Sequence, residues 1–220
     1  MTKSPIGAVI FDLDGTLADT IGDLATVVNA VLAAHDFPLH PFSSYKTMVG
    51  NGFSSLMERA LPAQAVEDDR LFAAILAEAS SIYASDLLNT TKPYPGIPEL
   101  LSALQAREIR CAVLSNKPDE MTRHMVSSLF PRVPFLAVMG DKVSRPKKPD
   151  PSNALTIAAL AGIPPSRFAF VGDSGVDMET AKSSGMLPLG ASWGYRSIAE
   201  LEAHGAAAIL EQPSDLLKYL

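Results

Sequence analysis

The sequence "VIFDLDGTLADT" (residues 9–20) decides the fold, because it joins a short apolar run directly to two aspartates. The run extends from Ala8 to Phe11, and Asp12 and Asp14 follow it. Such a run is typical of a buried strand, and burying an unpaired carboxylate within one costs several kcal/mol. The two aspartates are therefore expected where the strand ends and water begins, or around a cation.

Two further apolar runs, Cys111–Leu114 and Phe168–Val171, are continuous and too short for helices. Runs of this kind are typical of strands that are buried on both faces of a parallel sheet. Weaker strand candidates are Phe135–Met139 and Leu187–Ala191. Helical patterns lie between the candidates, at Ile97–Glu108, Ser152–Ala161 and Asp177–Ser184. The alternation predicts an α/β fold with a doubly wound parallel sheet, a Rossmann-like core.

The segment of residues 17–92 breaks this alternation, because it contains no convincing strand. Apolar residues recur at helical spacing from Ile21 to Leu32, and Thr20 with Asp23 forms a start like a capping box. A second helical pattern extends from Leu71 to Tyr83. The sequence therefore predicts an all-helical domain, hereafter the insert. Its expected range is residues 17–92, within an α/β core domain of residues 1–16 and 93–220.

Composition and charge restrict the function classes. The 220-residue chain is 47% apolar and carries a formal net charge of −6, which makes it a poor candidate for binding nucleic acid or anionic membranes. It has one cysteine, so no intrachain disulfide can form. The first residues lack the build of a signal peptide, and no window approaches the ~20 apolar residues of a membrane span. A cytoplasmic protein, monomer or homodimer, is expected.

Polar residues follow each of the three strongest strand candidates, at residues 12–16, 115–117 and 172–177. Ligands of open α/β sheets bind beyond the carboxyl ends of the strands, so these residues are expected to converge on one acidic pocket. Clustered carboxylates repel one another and therefore need a cation. Oxygen ligands favour Mg²⁺ or Ca²⁺. Mg²⁺ suits a site with few carboxylate ligands, where a substrate phosphate supplies a further ligand. The histidines show no metal-ligand spacing, which argues against zinc.

Four motifs, in order along the chain, resemble those of the haloacid dehalogenase-like (HAD-like) hydrolases. "FDLDGTLADT" (residues 11–20) resembles their DxDGT signature, and "VLSNKP" (113–118) resembles their strand ending in Ser or Thr. "KKPDP" (147–151) is similar to their lysine motif, and "VGDSGVDMETAKSSG" (171–185) to their GDxxxD motif. Four motifs together are far more specific than any one, and they span nearly the whole chain.

Three other segments resemble the phosphoglycolate phosphatase-like branch of that family, which carries a helical cap just after the first motif. These segments are "VGNGFSSLMERAL" (49–61), "YPGIPELL" (94–101) and "WGYRS" (193–197).

The resemblance implies roles for the aspartates. Asp12 would be the nucleophile that forms an aspartyl-phosphate, and Asp14 the general acid and then the general base. Mg²⁺ would be held by the Asp12 side chain, the Asp14 backbone carbonyl and Asp173. Asp177 would orient metal-bound water without being a ligand. Asp177 also opens a helical pattern, so a helix-capping role is the open alternative.

The resemblance also implies which residues bind the phosphoryl group. Lys148 would neutralise the nucleophile and the transferring phosphoryl, with Lys147 as its rival. Ser115 and the backbone amide of Asn116 would donate hydrogen bonds to phosphoryl oxygens. Asn51, in the glycine-flanked turn of the insert, either faces the substrate or only shapes the turn.

The function implied is a Mg²⁺-dependent phosphatase acting on a small phosphate monoester, with 2-phosphoglycolate as the best candidate. A sugar phosphate, a nucleotide or pyrophosphate is the alternative substrate, and a phosphomutase or a non-catalytic binding protein is the alternative class. Asp14 argues against a dehalogenase, which lacks the second aspartate. Ser54 and Ser55 stand where phosphomutases usually carry an arginine. Nothing in the sequence around Lys46 suggests the Schiff-base lysine of phosphonate-cleaving members.

Overall fold

A six-stranded parallel sheet lies at the centre of the computed structural model, which describes residues 6–85 and 88–220. Its strands are β1 (Ala8–Phe11), β4 (Arg110–Pro118), β5 (Ala137–Asp141), β6 (Phe168–Gly172), β7 (Leu187–Ala191) and β8 (Ala208–Leu210). The strand order is β5-β4-β1-β6-β7-β8, and every neighbouring pair is parallel. The predicted α/β fold with a doubly wound parallel sheet is confirmed.

The central strands are buried on both faces, as their continuous apolar runs predict. In β1, Val9 and Phe11 belong to one hydrophobic cluster, whereas Ala8 and Ile10 belong to another. Successive strand residues point to opposite faces, so each face of the sheet has its own core. The helices outside the insert are α6 (Ile97–Ala106), α7 (Asp119–Leu129), α8 (Ser152–Ala161), α9 (Gly175–Ser183) and α10 (Ile198–Ala203). Residues of α6 and α7 pack in the first cluster and residues of α8 in the second.

The insert folds as helices, in agreement with its periodicity. They are α1 (Ile21–Ala34), α2 (Tyr45–Met48), α3 (Phe53–Ala60), α4 (Ala63–Glu67) and α5 (Asp69–Ser85). The buried side of α1 includes Leu24, Val28 and Val31, and it shares a core with Ile75 and Ala79 of α5. The limits of the predicted domains remain a prediction.

Two details of the insert differ from the sequence-based expectation. Two short strands, β2 (Ala18–Asp19) and β3 (Lys92–Pro93), pair in an antiparallel manner where no strand was expected. Two-residue strands are too short to show a period of two, which is why the pattern missed them. Thr20 precedes α1, but its side chain makes no capping hydrogen bond within the described chain, so the expected capping box is wrong.

An aspartate in the first turn of α1 connects the two ends of the insert. Asp23 accepts hydrogen bonds from the backbone and the hydroxyl groups of both Thr90 and Thr91. Its carboxylate thereby joins the start of the insert to the segment that returns to the sheet. Within residues 6–85 and 88–220, no helix has both the length and the hydrophobicity that a bilayer crossing requires.

Candidate active site

The carboxyl ends of β1 and β6 bring three aspartates together. The two strands pair with Phe11 opposite Val171, so Asp12 and Asp173 follow at the same edge of the sheet. The backbone amide of Asp12 also donates a 2.9 Å hydrogen bond to the Val171 carbonyl. One carboxylate oxygen each of Asp12, Asp173 and Asp177 lies within 4.8 Å of the other two, and all three residues are buried. The predicted convergence of these strand ends is therefore present.

This cluster has the properties of a cation site. Asp12 Oδ1 is buried, and Lys148 Nζ lies 2.8 Å from it. Three buried carboxylates that share one ammonium are costly unless a further cation joins them. Hard divalent cations prefer carboxylate oxygens. Asp12, Asp173 and Asp177 can therefore hold a metal ion.

The raised pKa values of Asp12 and Asp173 also favour a bound cation. Burial raises the pKa of Asp12 to about 7, and Asp177 adds to this effect although Lys148 opposes it. Burial, with repulsion from Asp177 and Asp12, raises the pKa of Asp173 well above its usual value, while the Tyr195 backbone amide opposes the rise. In the metal-free protein these carboxyls resist full ionisation, so a bound cation would stabilise their charged form.

Lys148 supplies one positive charge within the cluster. Its side chain is 2% exposed, and its Nζ lies 2.8 Å from Asp12 Oδ1 and 2.7 Å from Asp177 Oδ1. The Asn116 side chain fixes the Lys148 backbone, accepting from its amide at 2.9 Å and donating to its carbonyl at 3.1 Å. The rival Lys147 is instead 44% exposed and pairs with Asp141. Geometry thus places Lys148, and not Lys147, against the aspartates.

Asp177 takes part in helix capping, the alternative that the sequence left open, and it also contacts Lys148. It is the third residue of α9, and its Oδ2 accepts hydrogen bonds from the backbone amide and the hydroxyl of Ser174, which completes a capping box. Its Oδ1 accepts a hydrogen bond from Lys148. One carboxylate therefore both caps the helix and orients the lysine.

Asp14 lies in the turn after β1, close to the aspartate cluster. The turn requires Gly15, whose φ is +86° and where an added Cβ would lie 2.3 Å from Asp173 Oδ2. The carboxylate of Asp14 accepts a 3.0 Å hydrogen bond from Lys117 Nζ, which also donates to the Tyr83 hydroxyl at 2.5 Å. Sequence reasoning assigned no role to Lys117 or Tyr83, although Lys117 follows Ser115 and Asn116 at the polar end of β4.

Asp14, Lys117 and Tyr83 form a second cluster, in which the lysine is charged and the tyrosine is neutral. Burial lowers the pKa of Lys117, but the Asp14 carboxylate and Tyr83 raise it by more, so the net shift is upward and the ammonium is retained. Burial raises the pKa of Tyr83 to about 12, which keeps its hydroxyl neutral. The cluster thus brings the Lys117 ammonium and a neutral phenol against the carboxyl group of Asp14.

A cavity of about 30 Å³ lies between the insert and the sheet. From the core it is lined by Asp12, Asp14, Asn116 and Lys117. From the insert it is lined mostly by apolar side chains and backbone, at Leu24, Val49, Gly50, Gly52, Phe53, Leu56 and Tyr83. Ser115 and Asn51 are not among the described residues that line it. The buried Ser115 hydroxyl instead accepts a hydrogen bond from the Lys117 amide.

The "WGYRS" segment (193–197), to which sequence reasoning gave no chemistry, contacts three parts of the site. The Trp193 indole donates to the Thr16 carbonyl at 3.0 Å, and the Tyr195 amide donates to Asp173 Oδ2 at 2.7 Å. The Arg196 guanidinium donates to the Val49 carbonyl of the insert at 2.7 Å. The segment therefore links an aspartate of the cluster to the cavity wall.

Comparison with known proteins matches residues 9–191 to a family model described as haloacid dehalogenase-like hydrolase. The chain is 35% identical over 218 residues to a phosphoglycolate phosphatase of Rhodospirillum rubrum, covering 97% of this chain and 90% of the relative. It is 31% identical to an N-acetylmuramic acid 6-phosphate phosphatase of Pseudomonas aeruginosa, covering 100% of this chain and 97% of the relative.

Solved structures agree with these relatives. A protein described as a predicted phosphoglycolate phosphatase from Haemophilus somnus superposes with a TM-score of 0.90 at 27% identity, covering 98% of each chain. A second, described as a putative phosphoglycolate phosphatase from Lactobacillus delbrueckii, superposes with a TM-score of 0.88 at 27% identity, covering 97% of each chain. The fold is thus shared with these proteins over 97–98% of this chain.

Proposed function

The chain belongs to the haloacid dehalogenase-like hydrolases and is a phosphoric monoester hydrolase, and from this membership we propose that it hydrolyses 2-phosphoglycolate with the help of Mg²⁺. The observation that carries the proposal is the buried cluster of Asp12, Asp173 and Asp177 with Lys148 at 2.8 Å from Asp12. A carboxylate that lies beside a cation is suited to attack the phosphorus atom of an anionic phosphoryl group, because the cation reduces the repulsion between them. The relatives named phosphoglycolate phosphatase support the choice of substrate.

We propose that the reaction has two displacement steps at phosphorus. In the first, an Asp12 oxygen bonds to phosphorus, the ester bond breaks, and the leaving oxygen takes a proton from Asp14. In the second, Asp14 removes a proton from water, whose oxygen attacks the aspartyl-phosphate, so that phosphate leaves and the Asp12 carboxylate is restored. Asp14 thus ends each turnover in the protonation state in which it began.

The other residues of the site balance charge and fix positions. Lys148, already paired with Asp12, would neutralise the charge of the phosphoryl oxygens as they approach. The Asn116 backbone amide and the Ser115 hydroxyl would donate hydrogen bonds to these oxygens. Mg²⁺, held by Asp12, Asp173 and the Asp14 carbonyl, would reduce the repulsion between the phosphate and the nucleophile when bound. Asp177 holds Lys148 in place through its 2.7 Å contact.

The lining of the cavity beside Asp12 and Asp14 indicates how the insert could act. On the side of the insert it is mostly apolar. We propose that the insert acts as a cap that excludes water and selects the leaving group.

A panel of phosphate compounds tests this function. The panel contains 2-phosphoglycolate, N-acetylmuramic acid 6-phosphate, a hexose phosphate, a nucleoside monophosphate and pyrophosphate, each with Mg²⁺ and with EDTA. We expect Mg²⁺-dependent release of inorganic phosphate, with the highest kcat/KM for 2-phosphoglycolate, and no release by Asp12→Asn. A higher kcat/KM for another compound would refute the substrate. An isomerised sugar phosphate in place of inorganic phosphate would indicate a mutase.

A further inference from the structure

Lys117 is a buried cation that the proposed reaction does not yet use. Lysine is rarely fully buried without a partner, and the Lys117 side chain is 3% exposed. Its Nζ lies 3.0 Å and 3.4 Å from the two carboxylate oxygens of Asp14. It also donates a hydrogen bond to the Tyr83 hydroxyl. The ammonium is thus shared between the proposed acid of the core and a tyrosine of the insert.

Tyr83 is itself firmly held within the insert. Its side chain is completely buried, and its ring stacks on Phe53 of α3 with 5.4 Å between the ring centroids. Phe53 and Tyr83 both line the cavity that contains Asp12 and Asp14. A line of contacts therefore extends from the packed helices of the insert, through Lys117, to the Asp14 carboxylate.

Asp14 needs such support, because it follows β1 in a turn instead of lying within a strand. A general acid must present its proton within hydrogen-bond distance of the leaving oxygen, so its orientation matters as much as its presence. We propose that Lys117 and Tyr83 are positioning residues, which hold the Asp14 carboxylate toward the leaving-group oxygen when the insert lies against the sheet. This inference rests on the phosphatase function proposed above.

Three small substrates distinguish this role from others. The alkyl esters 2-phosphoglycolate and 2-hydroxyethyl phosphate both release an alkoxide that needs a proton, and only the first carries a carboxylate. Acetyl phosphate releases acetate, a stable anion that needs no proton. The parameter to compare is kcat/KM, because it reports on phosphoryl transfer to Asp12 and excludes the later hydrolysis step.

We expect Lys117→Met to lower kcat/KM by about 10²-fold for both alkyl esters, while acetyl phosphate changes little. Tyr83→Phe, which removes only the hydroxyl, should show the same pattern at about tenfold. Because Tyr83→Phe is a small change, it carries the test if Lys117→Met does not fold. When added to Asp14→Asn, Lys117→Met should lower the remaining activity no further, because the residue would act through Asp14.

Matched controls separate position from packing. Tyr45→Phe removes a buried insert hydroxyl that donates to Asn29 at 2.7 Å, away from the cavity. Lys142→Met removes a half-exposed lysine that pairs with Asp119. Both variants should keep the kcat/KM of the wild type for all three substrates.

Three other outcomes would overturn the inference. Equal losses for all three substrates would show that Lys117 and Tyr83 only support the fold of the site. A loss confined to 2-phosphoglycolate would show that Lys117 binds the substrate carboxylate. Wild-type kcat/KM values in Tyr83→Phe would show that the insert does not help to position Asp14. Absence of turnover by the wild-type enzyme would instead refute the proposed phosphatase function itself.

Discussion

Lys148 lies against Asp12, with its Nζ 2.8 Å from Asp12 Oδ1 and with the two side chains 2% and 10% exposed. The lysine also contacts Asp177, so one ammonium serves two buried carboxylates. An ion pair in this position reduces the charge that an incoming phosphate dianion meets. The cluster still favours a further cation, because Asp12 and Asp177 share a single cationic side chain among the described residues.

Replacing Lys148 with Met should impair both catalysis and stability. We expect kcat/KM to fall by at least about 10²- to 10³-fold, because the transferring phosphoryl group loses a preorganised positive charge. Removing one partner of a buried ion pair leaves charge uncompensated, so the free energy of unfolding should fall by about 3–5 kcal/mol in EDTA. Steady-state kinetics and urea denaturation measure the two effects.

The neighbouring lysine provides the control for that experiment. Lys147 is 44% exposed and pairs with Asp141, so Lys147→Met should keep kcat/KM within a few-fold of wild type. Near wild-type kinetics in Lys148→Met, or an equal loss in both variants, would contradict the role given to Lys148.

Metal binding should depend on pH in a direction set by the raised pKa values. In the metal-free protein the pKa of Asp12 is about 7, and that of Asp173 is well above its usual value, mainly because of burial. The folded carboxyls therefore retain protons that the unfolded chain loses above about pH 4. Their contribution to stability is complete below about pH 4 and is lost as pH rises through the folded pKa values.

Mg²⁺ should therefore stabilise the protein more at pH 8 than at pH 5, because fewer protons compete for the carboxylates at the higher pH. Thermal denaturation with and without Mg²⁺ at the two pH values measures the difference in Tm. Asp12→Asn should weaken the pH dependence of the Mg²⁺ effect. Equal Mg²⁺-induced shifts at both pH values in the wild type would refute this linkage.

Much of the sheet could be predicted because central parallel strands are apolar on both faces. Phe168–Val171 was expected as a strand, and β6 is Phe168–Gly172. Leu187–Ala191 has the same limits in the sequence pattern and in the structure. The edge strand Ala208–Leu210 was not predicted, because three residues beside solvent carry too little periodicity.

The candidate site could be predicted only where its residues follow strands. Asp12 and Asp173 meet because parallel strands deliver their carboxyl ends to one edge, a rule that needs no knowledge of side-chain packing. Tyr83 and Lys117 are 34 residues apart, and their contact depends on how α5 packs against β4. The helical pattern could place Tyr83 on an apolar stripe but could not indicate its polar partner.

Replacing Asp23 with Asn should destabilise the region where the insert meets the sheet. Asp23 accepts four hydrogen bonds from Thr90 and Thr91, and an amide can accept at only one of its two terminal atoms. We expect the free energy of unfolding to fall by about 2–3 kcal/mol at neutral pH. Urea denaturation measures it. Asp68→Asn is the control, because asparagine can replace an aspartate that accepts from backbone amides at a helix start.

The effect of Asp23→Asn should shrink in acid. Burial alone would raise the pKa of Asp23, but hydrogen bonds from Thr90 and Thr91 outweigh it and the pKa is lowered. A lowered folded pKa contributes stability above the unfolded value of about 3.9, and this contribution is lost as pH falls through the folded pKa. A difference between wild type and variant that stayed constant from pH 7 to pH 3 would contradict this explanation.

Removing the Arg196 side chain should loosen the contact between the core and the insert. Arg196 donates a 2.7 Å hydrogen bond from the core to the carbonyl of Val49, which lines the cavity. Losing a charged donor of this kind costs about 1.5 kcal/mol or more, so Arg196→Ala should lower kcat/KM for 2-phosphoglycolate about tenfold.

Arg59→Ala is a close control, since Arg59 donates to the adjacent carbonyl of Met48 and both partners belong to the insert. Because that bond does not join the insert to the core, kcat/KM should stay within about twofold of wild type. Equal kinetics in the two variants would show that the bond across the cavity edge does not help the insert to hold the substrate.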